Sequence, residues 1–382
     1  MHIMETQDLL CRVACRGLVA AGLLAVGYAS AEAQSVVGQT PTHVNGIGLI
    51  APPPADFDPT TATAGVNARF ALPPAPDGAA APRAHAAWQS AVSAVQNRER
   101  PVLTTTNISH GPIKGKKASP AWGAESAQGA ANSDNVKNNI INATSSNWSG
   151  TSVIDGTTSN VEAIIGMFVV PTAHQAFGAC TGDWDYSSLW PGIDGNGGAG
   201  GGDVLQAGVE VDAYCSGGNT TGFYSAWIEW FPNNSIRVSS PAINPGDLVF
   251  VEVWSTSPTQ GYVYFYNYST NVTAEYALTA PAGTTVHGSS LEWIVERPSL
   301  GTSLTTLTNY IASPWSEGVA WDYADANPTY YYMGNNPTVG TLEQLTMNDN
   351  GGNGISSPAI ESFNFLWFQN FGSACGQSAP PC

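Results

Sequence analysis

Two short stretches carry side chains that can act together on a carbonyl group. In Leu291-Glu292-Trp293-Ile294-Val295-Glu296, strand alternation puts Glu292, Ile294 and Glu296 on one face and Trp293 and Val295 on the other. Between Val204 and Ala213, residues Val204, Gln206, Gly208, Glu210 and Asp212 share a face opposite Leu205, Ala207, Val209, Val211 and Ala213. An amide and carboxylates along one face of apolar strands predict a polar cleft over a buried core, with Gln206 and Glu296 meeting across neighbouring strands. A carboxylate that activates water and an amide that binds an oxyanion suffice to hydrolyse a peptide bond. Glu292 lies ~13 Å from Glu296 along the same face, four residues at ~3.3 Å each. That is too far to share a proton, so Glu292 is expected to line or support the cleft.

The elements that hold these strands are legible from Asn147 onward. Short apolar runs recur between Gly, Asn, Pro and Ser turns, at 161–170, 188–193, 204–213, 223–231, 248–255, 261–267, 275–278, 291–295, 304–311, 342–347 and 363–368. Pro245-Gly246-Asp247 is a strong turn before a strand. No four-turn amphipathic helix and no internal repeat is evident. Many short strands in one segment predict an all-β fold, an antiparallel sandwich or barrel.

The residues before that segment differ. Arg12 and Arg16 precede an apolar run over 17–29, and Ala31-Glu32-Ala33 is a small-x-small cleavage site, so 1–33 reads as a signal peptide. The run is too short to span a membrane. A secreted protein, extracellular or periplasmic, is expected, with no membrane contact once the signal is removed. Residues 34–137 are rich in Ala and Pro, with Pro52-Pro53-Pro54 and Pro73-Pro74, and only 84–98 suits a helix. They are expected to be a poorly structured leader, either a linker or a removable prosegment. The sandwich domain is assigned to 138–382.

Charge divides along the same line. Of twelve Lys and Arg, ten lie at or before Lys137, including the cluster Lys114, Lys116 and Lys117. From residue 138 only Arg237 and Arg297 stand against twenty Asp and Glu, a formal charge of −18 with His neutral. Self-repulsion at neutral pH fades as carboxylates protonate, which suits acidic surroundings. Without a basic face, nucleic acid is excluded as a partner. Cys11 and Cys15 leave with the signal, so Cys180, Cys215, Cys375 and Cys382 remain, with three possible pairings. The nearest in sequence, Cys180–Cys215 and Cys375–Cys382, are favoured. Spacings and the scarcity of His exclude a zinc pattern; no metal and no cofactor are expected.

Five motifs in order make the chain similar to a known family. They are Asn147-Trp148-Ser149-Gly150, Trp190-Pro191-Gly192-Ile193-Asp194-Gly195, Leu205-Gln206-Ala207-Gly208, Ala226-Trp227-Ile228-Glu229-Trp230-Phe231-Pro232 and Glu292-Trp293-Ile294-Val295-Glu296. Together they resemble the eqolisins, the glutamic peptidases. The resemblance implies a concanavalin-like β-sandwich of two large antiparallel sheets, one concave and cleft-forming. It also implies an acid-acting endopeptidase made with a signal and a prosegment. It places the catalytic glutamine at Gln206 and the catalytic glutamate at Glu296, with Trp148, Trp190, Asp194 and Glu229 as supporting or substrate-contacting positions. One departure is Phe231, where the family often has Tyr, so any hydroxyl contact there is lost. The stretch 313–340 matches no motif.

Other hydrolase chemistries lack their residues. Asp-Thr-Gly and Asp-Ser-Gly, Gly-x-Ser-x-Gly and His-Glu-x-x-His are all missing. A carbohydrate-active sandwich, glycoside hydrolase or lectin-like, remains the alternative. Retaining glycosidases need carboxyls ~5–5.5 Å apart and inverting ones ~6.5–9.5 Å, and Glu210, Glu229 and Glu296 are the candidates for such a pair. On the peptidase reading Glu296 is the ionised base for water and later the proton donor to the amine. Gln206 holds the water and then the oxyanion. The polypeptide substrate is the main partner and the protein acts as a monomer. Its own prosegment is an inhibitor, drawn by its Lys cluster to the acidic sandwich at neutral pH. It is released on acidification and cut by the enzyme itself between Lys117 and Asn147.

Overall fold

Alternation of the kind found in Val204 to Ala213 becomes strand almost throughout. The computed structural model of the protein describes residues 36–113, 140–154, 162–176, 180, 182–197, 201–335 and 340–371. Elements are numbered in chain order. The sheet that carries the candidate chemistry runs, from one edge, β3 (Leu103–Thr105), β12 (Ile236–Val238), β11 (Asn219–Phe231), β10 (Val204–Ser216) and β9 (Ser188–Ile193). It continues through β16 (Ser290–Glu296), β6 (Trp148–Ile154) and β21 (Thr341–Asn348). Beside β10 lies the short β8 (Trp184–Asp185), and β5 (Ile141–Ser145) pairs with β21 in parallel.

The second sheet runs β1 (Gln39–Pro41), β2 (Ile47–Ile50), β15 (Val272–Thr279), β14 (Gln260–Asn267), β13 (Leu248–Ser257) and β7 (Ala163–Val169). It ends with β19 (Ala312–Trp321), β23 (Phe365–Asn370) and β22 (Gly354–Ser362), and β20 (Tyr330–Tyr332) pairs with β19. The β21–β22 pairing joins the two sheets at one side. A small separate sheet consists of β4 (Ile108–Ser109), β17 (Ser299–Leu300) and β18 (Ser303–Leu304). Apart from the parallel β5–β21 pair the strand pairings are antiparallel, so the expected all-β sandwich of two large sheets is what forms.

The core lies between the sheets. Leu205 and Val209 of β10 and Trp293 and Val295 of β16 pack with Phe168 of β7 and with Val251 and Val253 of β13. Each such side chain, withdrawn from water, contributes roughly 1.5–3 kcal/mol. These are the residues that alternation assigns to the inner face, which leaves Gln206, Glu210 and Glu296 on the other.

Two expectations need correction. The strand expected over 304–311 forms only its first residue, in β18. The long strand is β19, inside the unmatched stretch 313–340. Its alternation is broken by an irregularity between Ser316 and Val319, where Glu317 takes φ 57°, and this hides it from a period-2 reading. The leader is the larger correction. Residues 36–113 are not poorly structured: they supply β1 to β4, α1 (Ala64–Arg69) and α2 (Pro82–Ser93). The expected helix starts with Pro82 in its first turn and stops short of 98. These Ala- and Pro-rich residues share one apolar cluster with residues of the sandwich. Trp88, Ala91 and Val92 of α2 pack on the outer face of the second sheet, against Trp254, Tyr264 and Trp321.

Cys180 and Cys215 are joined, with Cα atoms 5.3 Å apart. The Cys375–Cys382 pair, the signal peptide and the cluster Lys114, Lys116 and Lys117 lie outside the described residues. Among the described residues no helix is long and apolar enough to cross a membrane.

Candidate active site

Gln206 and Glu296 stand on strands that are not neighbours. The chain inserts β9 between β10 and β16. Gln206 is in register with Gly192 and, beyond it, Glu292; Glu296 is in register with Ser188 and, beyond it, Glu210. The glycine of Leu205-Gln206-Ala207-Gly208 has a structural reason. A Cβ on Gly208 would lie 2.0 Å from the Leu189 carbonyl oxygen and 2.7 Å from the Trp190 Cβ. Only glycine lets β9 approach β10 there with Trp190 standing over the strand.

Glu296 is fully buried, as are all seven residues of β16. The Asn147 Nδ2 donates to its Oε1 at 3.0 Å and the Trp190 Nε1 to its Oε2 at 2.9 Å. Trp148 meets Trp190 edge to face with ring centres 5.1 Å apart. Burial drives the Glu296 pKa well above the usual carboxylate range, and the donors from Asn147 and Trp190 offset only part of that. With the cleft filled as it is here, burial favours the protonated form of Glu296 over the ionised one.

What fills the cleft is the leader. The Gln206 Nε2 donates to the His110 carbonyl oxygen. The same Asn147 Nδ2 that holds Glu296 also donates to the next carbonyl, Gly111 O, at 2.9 Å. Gln206 and Glu296 are thus linked through two consecutive carbonyls of one peptide segment. The Gln206 Oε1 has no partner among the described residues. His110 stacks on Trp227 with ring centres 3.8 Å apart and planes 12° from parallel. Its Nδ1 meets Glu229 Oε2 at 2.8 Å and its Nε2 meets Glu210 Oε1 at 2.6 Å. Its backbone N–H also points at Glu229. A neutral imidazole donates from only one nitrogen, so either the ring is cationic or one of these carboxyls is protonated. Burial pushes the Glu229 carboxyl up to about 7, against the pull of His110, and Glu210 up to about 8. Gly111 permits this seat as well, because a Cβ there would lie 2.5 Å from the Phe231 ring. Where a tyrosine hydroxyl is absent, the Phe231 ring backs the inserted segment.

The other expected residues divide. Trp148, Trp190 and Glu229 join the cleft. Asp194 does not: at φ 70° its carboxylate accepts from the backbone N–H groups of His287 (2.7 Å) and Ser289 (2.8 Å) and from the Ser289 hydroxyl (2.9 Å). It anchors the loop that leads into β16. Asp194, Asp203 and His287 bring potential ligand atoms within 4.8 Å of one another, but the Asp194 oxygens are already taken by those donors. Glu292 is buried and accepts from the Ser152 hydroxyl at 3.2 Å. Sequence reasoning missed Asn147 as a ligand of Glu296, although it opens the first motif. It missed His110 altogether, since nothing in the leader marks one imidazole as a cleft ligand.

Residues 146–328 match the family model described as the Peptidase A4 family. Over 151 residues the chain is 27% identical to Scytalidopepsin B of Scytalidium lignicola, a match covering 40% of this chain; the chain spans about half the length of that curated relative, 51%. Among solved structures, scytalido-glutamic peptidase with a transition state analog inhibitor is similar at 19% identity and a TM-score of 0.47, over 59% of this chain and 98% of that one. Aspergilloglutamic peptidase from Aspergillus niger is similar at 23% identity and a TM-score of 0.40, over 49% of this chain and 99% of that one.

Proposed function

We propose that the protein, whose residues 146–328 match the Peptidase A4 family, is a glutamic peptidase: a secreted, acid-acting endopeptidase whose precursor blocks its own cleft. Gln206 and Glu296 carry the reaction and water attacks the peptide carbonyl directly, with no acyl-enzyme. The observation that carries this reading is the peptide segment lying between the two side chains, with one carbonyl on the Gln206 amide and the next on the Asn147 amide that also holds Glu296.

In the open cleft, water reaches Glu296, its burial is relieved and its pKa falls toward the usual range. The ionised Glu296 removes a proton from the attacking water, and the partnerless Gln206 Oε1 helps to hold that water. The Gln206 NH2 stabilises the oxyanion of the tetrahedral intermediate, a contact worth ~2.7–4 kcal/mol. Glu296 then returns its proton to the departing amine. A carboxylate base and an amide donor both function in acid. Trp190 donates to the ionised form of Glu296 and favours it.

The same geometry supports inhibition by the leader. While His110 and Gly111 occupy the cleft, burial disfavours the ionised Glu296 that would act as base. The direction of the pKa shifts opposes release by acid, however. Glu210 and Glu229 hold protons in the closed cleft up to about 8 and about 7. Their contribution to closure is therefore present below the ordinary value of 4.5 and is lost as pH rises through 7 to 8. Opening then depends on cutting the chain beyond Ile113. The proposed self-cleavage between Lys117 and Asn147 supplies such a cut when an already opened copy of the protein makes it.

The test is Glu296→Gln beside Glu292→Gln, each in the full chain and assayed on denatured protein from acid to neutral pH. Glu296→Gln is expected to fold and to lose nearly all peptidase activity at every pH, while Glu292→Gln stays active. An inactive Glu292→Gln beside an active Glu296→Gln would assign the chemistry to the other acid. Cleavage of β-glucan or xylan, with denatured protein left intact, would favour the carbohydrate reading.

A further inference from the structure

We propose that residues 36–101 are a permanent part of the working protein and stay bound, as a second non-covalent chain, after the leader is cut from the sandwich. Only the segment that fills the cleft, about residues 106–113, leaves its seat. This refines the reading of a self-blocking precursor and rests on it for the cleft segment alone.

The first ground is what residues 36–101 cover. The outer face of the second sheet presents Phe250 and Trp254 of β13, Tyr262, Tyr264 and Tyr266 of β14, and Trp321 of β19. All six are buried, under α2 and the turns around it. Stripped of that layer, the sheet would expose one contiguous aromatic surface, of a kind that soluble proteins keep covered. Between Phe250 and Trp254 on the same strand face lies Glu252, fully buried and with neither carboxyl oxygen partnered among the described residues. Such a group is stable only while its surroundings stay dry and it stays protonated.

The second ground is how the layer is attached. The β2 strand pairs with β15, matching Leu49 to Tyr276 and Ile47 to Leu278, and so closes the edge of the second sheet. The tyrosine hydroxyls of the sandwich reach carbonyls in and before α2: Tyr264 to Ala91 O at 3.0 Å, Tyr268 to Ala87 O at 3.2 Å and Tyr332 to Ala80 O at 2.6 Å. Two leader cations answer carboxylates of a body that has almost none of its own. Arg98 pairs with the buried Glu275 and donates to Ile50 O at 3.0 Å, and Arg83 pairs with Glu317 at 2.5 Å. Losing Arg98 would leave Glu275 without the cation that faces it.

The third ground is the contrast with the cleft segment. That segment follows the layer in the chain and ends at Ile113, next to the stretch where a cut is proposed. A cut there gives it a free end from which it can peel off the cleft, with only the two-residue β4–β17 pairing to break in the small sheet. The same cut frees no end of residues 36–101, which are held at both β2 and α2.

The experiment separates retention from catalysis. A recognition site for a sequence-specific protease is placed within residues 118–135 of the full chain carrying Glu296→Gln, so that no self-cleavage intervenes. After complete cutting, verified on a denaturing gel, the sample is passed over a native sizing column at pH 7 and again at pH 4. The expected result is one peak at both pH values holding both fragments in equal amounts, which separate only on denaturation. A companion Trp88→Asp chain is expected to release the leader fragment after the same cut. Separation of the fragments in the Trp88-containing chain, whether the sandwich fragment stays in solution or precipitates, overturns the proposal. The same cut in a chain with native Glu296 tests the other reading: a retained but inactive complex would refute the cleft segment's release and leave retention standing.

Discussion

Replacing His110 by Ala should open the cleft without touching the groups assigned to the reaction. In the closed cleft the imidazole makes contacts of 2.8 Å to Glu229 and 2.6 Å to Glu210 and stacks on Trp227 at 3.8 Å. Hydrogen bonds to charged groups contribute ~1.5–3 kcal/mol each, and an aromatic pair adds ~0.5–1.5 kcal/mol. Taking ~1.5 kcal/mol for one carboxyl contact as charged, ~1 kcal/mol for the other as neutral and ~0.5 kcal/mol for the stack, closure loses ~3 kcal/mol. At ~1.4 kcal/mol per tenfold that is a shift of about 100-fold toward the open cleft. The assay is binding of a fluorescent peptide to the full chain in a Glu296→Gln background, where nothing is turned over. Apparent affinity follows the open fraction, so His110→Ala should bind the peptide about 100-fold more tightly, up to the limit of a fully open cleft. The pH dependence carries a sign. With His110 present, affinity should improve as pH rises from 5 through about 7 and about 8, where Glu229 and Glu210 give up the protons that favour closure. Equal affinities in two chains of equal melting temperature would refute the plug, and affinity that worsens with rising pH would refute the assignment of its proton linkage.

Three further outcomes follow from the same geometry. Gln206→Ala should lower kcat by about 100- to 1000-fold with KM little changed; a lower melting temperature with intact turnover would make Gln206 a scaffold residue. Trp190→Phe removes a 2.9 Å donor to Glu296, so the base pKa should rise and the acid limb of the kcat profile should move to higher pH, which a rate profile of the converted enzyme measures. Arg98→Met leaves Glu275 buried without its cation and should cost ~3–5 kcal/mol of stability, read by denaturant unfolding at pH 7; a change within error would mean that the Arg98–Glu275 pair adds nothing to the leader's grip.

Much of the sandwich was legible because its strands bury one face each. Leu205, Val209, Trp293 and Val295 point into the core as alternation requires, and the polar residues between them follow to the opposite face. That reading fails where the pleat itself is interrupted. In β19, Glu317 at φ 57° throws the following residues out of phase, so Val319 and Trp321 fall on the outer face beside Trp254 instead of continuing one clean row. Register between strands was not legible either. Alternation tells which face Gln206 and Glu296 occupy but not that β9 lies between them, because strand order depends on pairings that are remote in the chain.

The leader was misjudged for a different physical reason. The inference from abundant Ala and Pro concerns whether a segment buries enough of its own surface to fold alone. It does not address whether another part of the chain offers a surface to be buried against. The outer residues of β13 and β14 contain the missing half of the argument: Phe250, Trp254, Tyr262, Tyr264 and Tyr266 alternate with core residues, so both faces of these strands are apolar. A strand apolar on both faces needs a third layer, and the Ala-rich face of α2 has side chains small enough to lie flat on aromatic rings. His110 gave no such signal. Its position is set by a pocket whose three walls, Trp227, Glu210 and Glu229, stand on β10 and β11 more than a hundred residues away in sequence or nearly so. A lone imidazole acquires meaning only once those strands are paired. The cleft's acids were visible as a row, and their excess over basic partners was visible as a charge. The leader's contribution of Arg83, Arg98 and His110 to that balance required the fold.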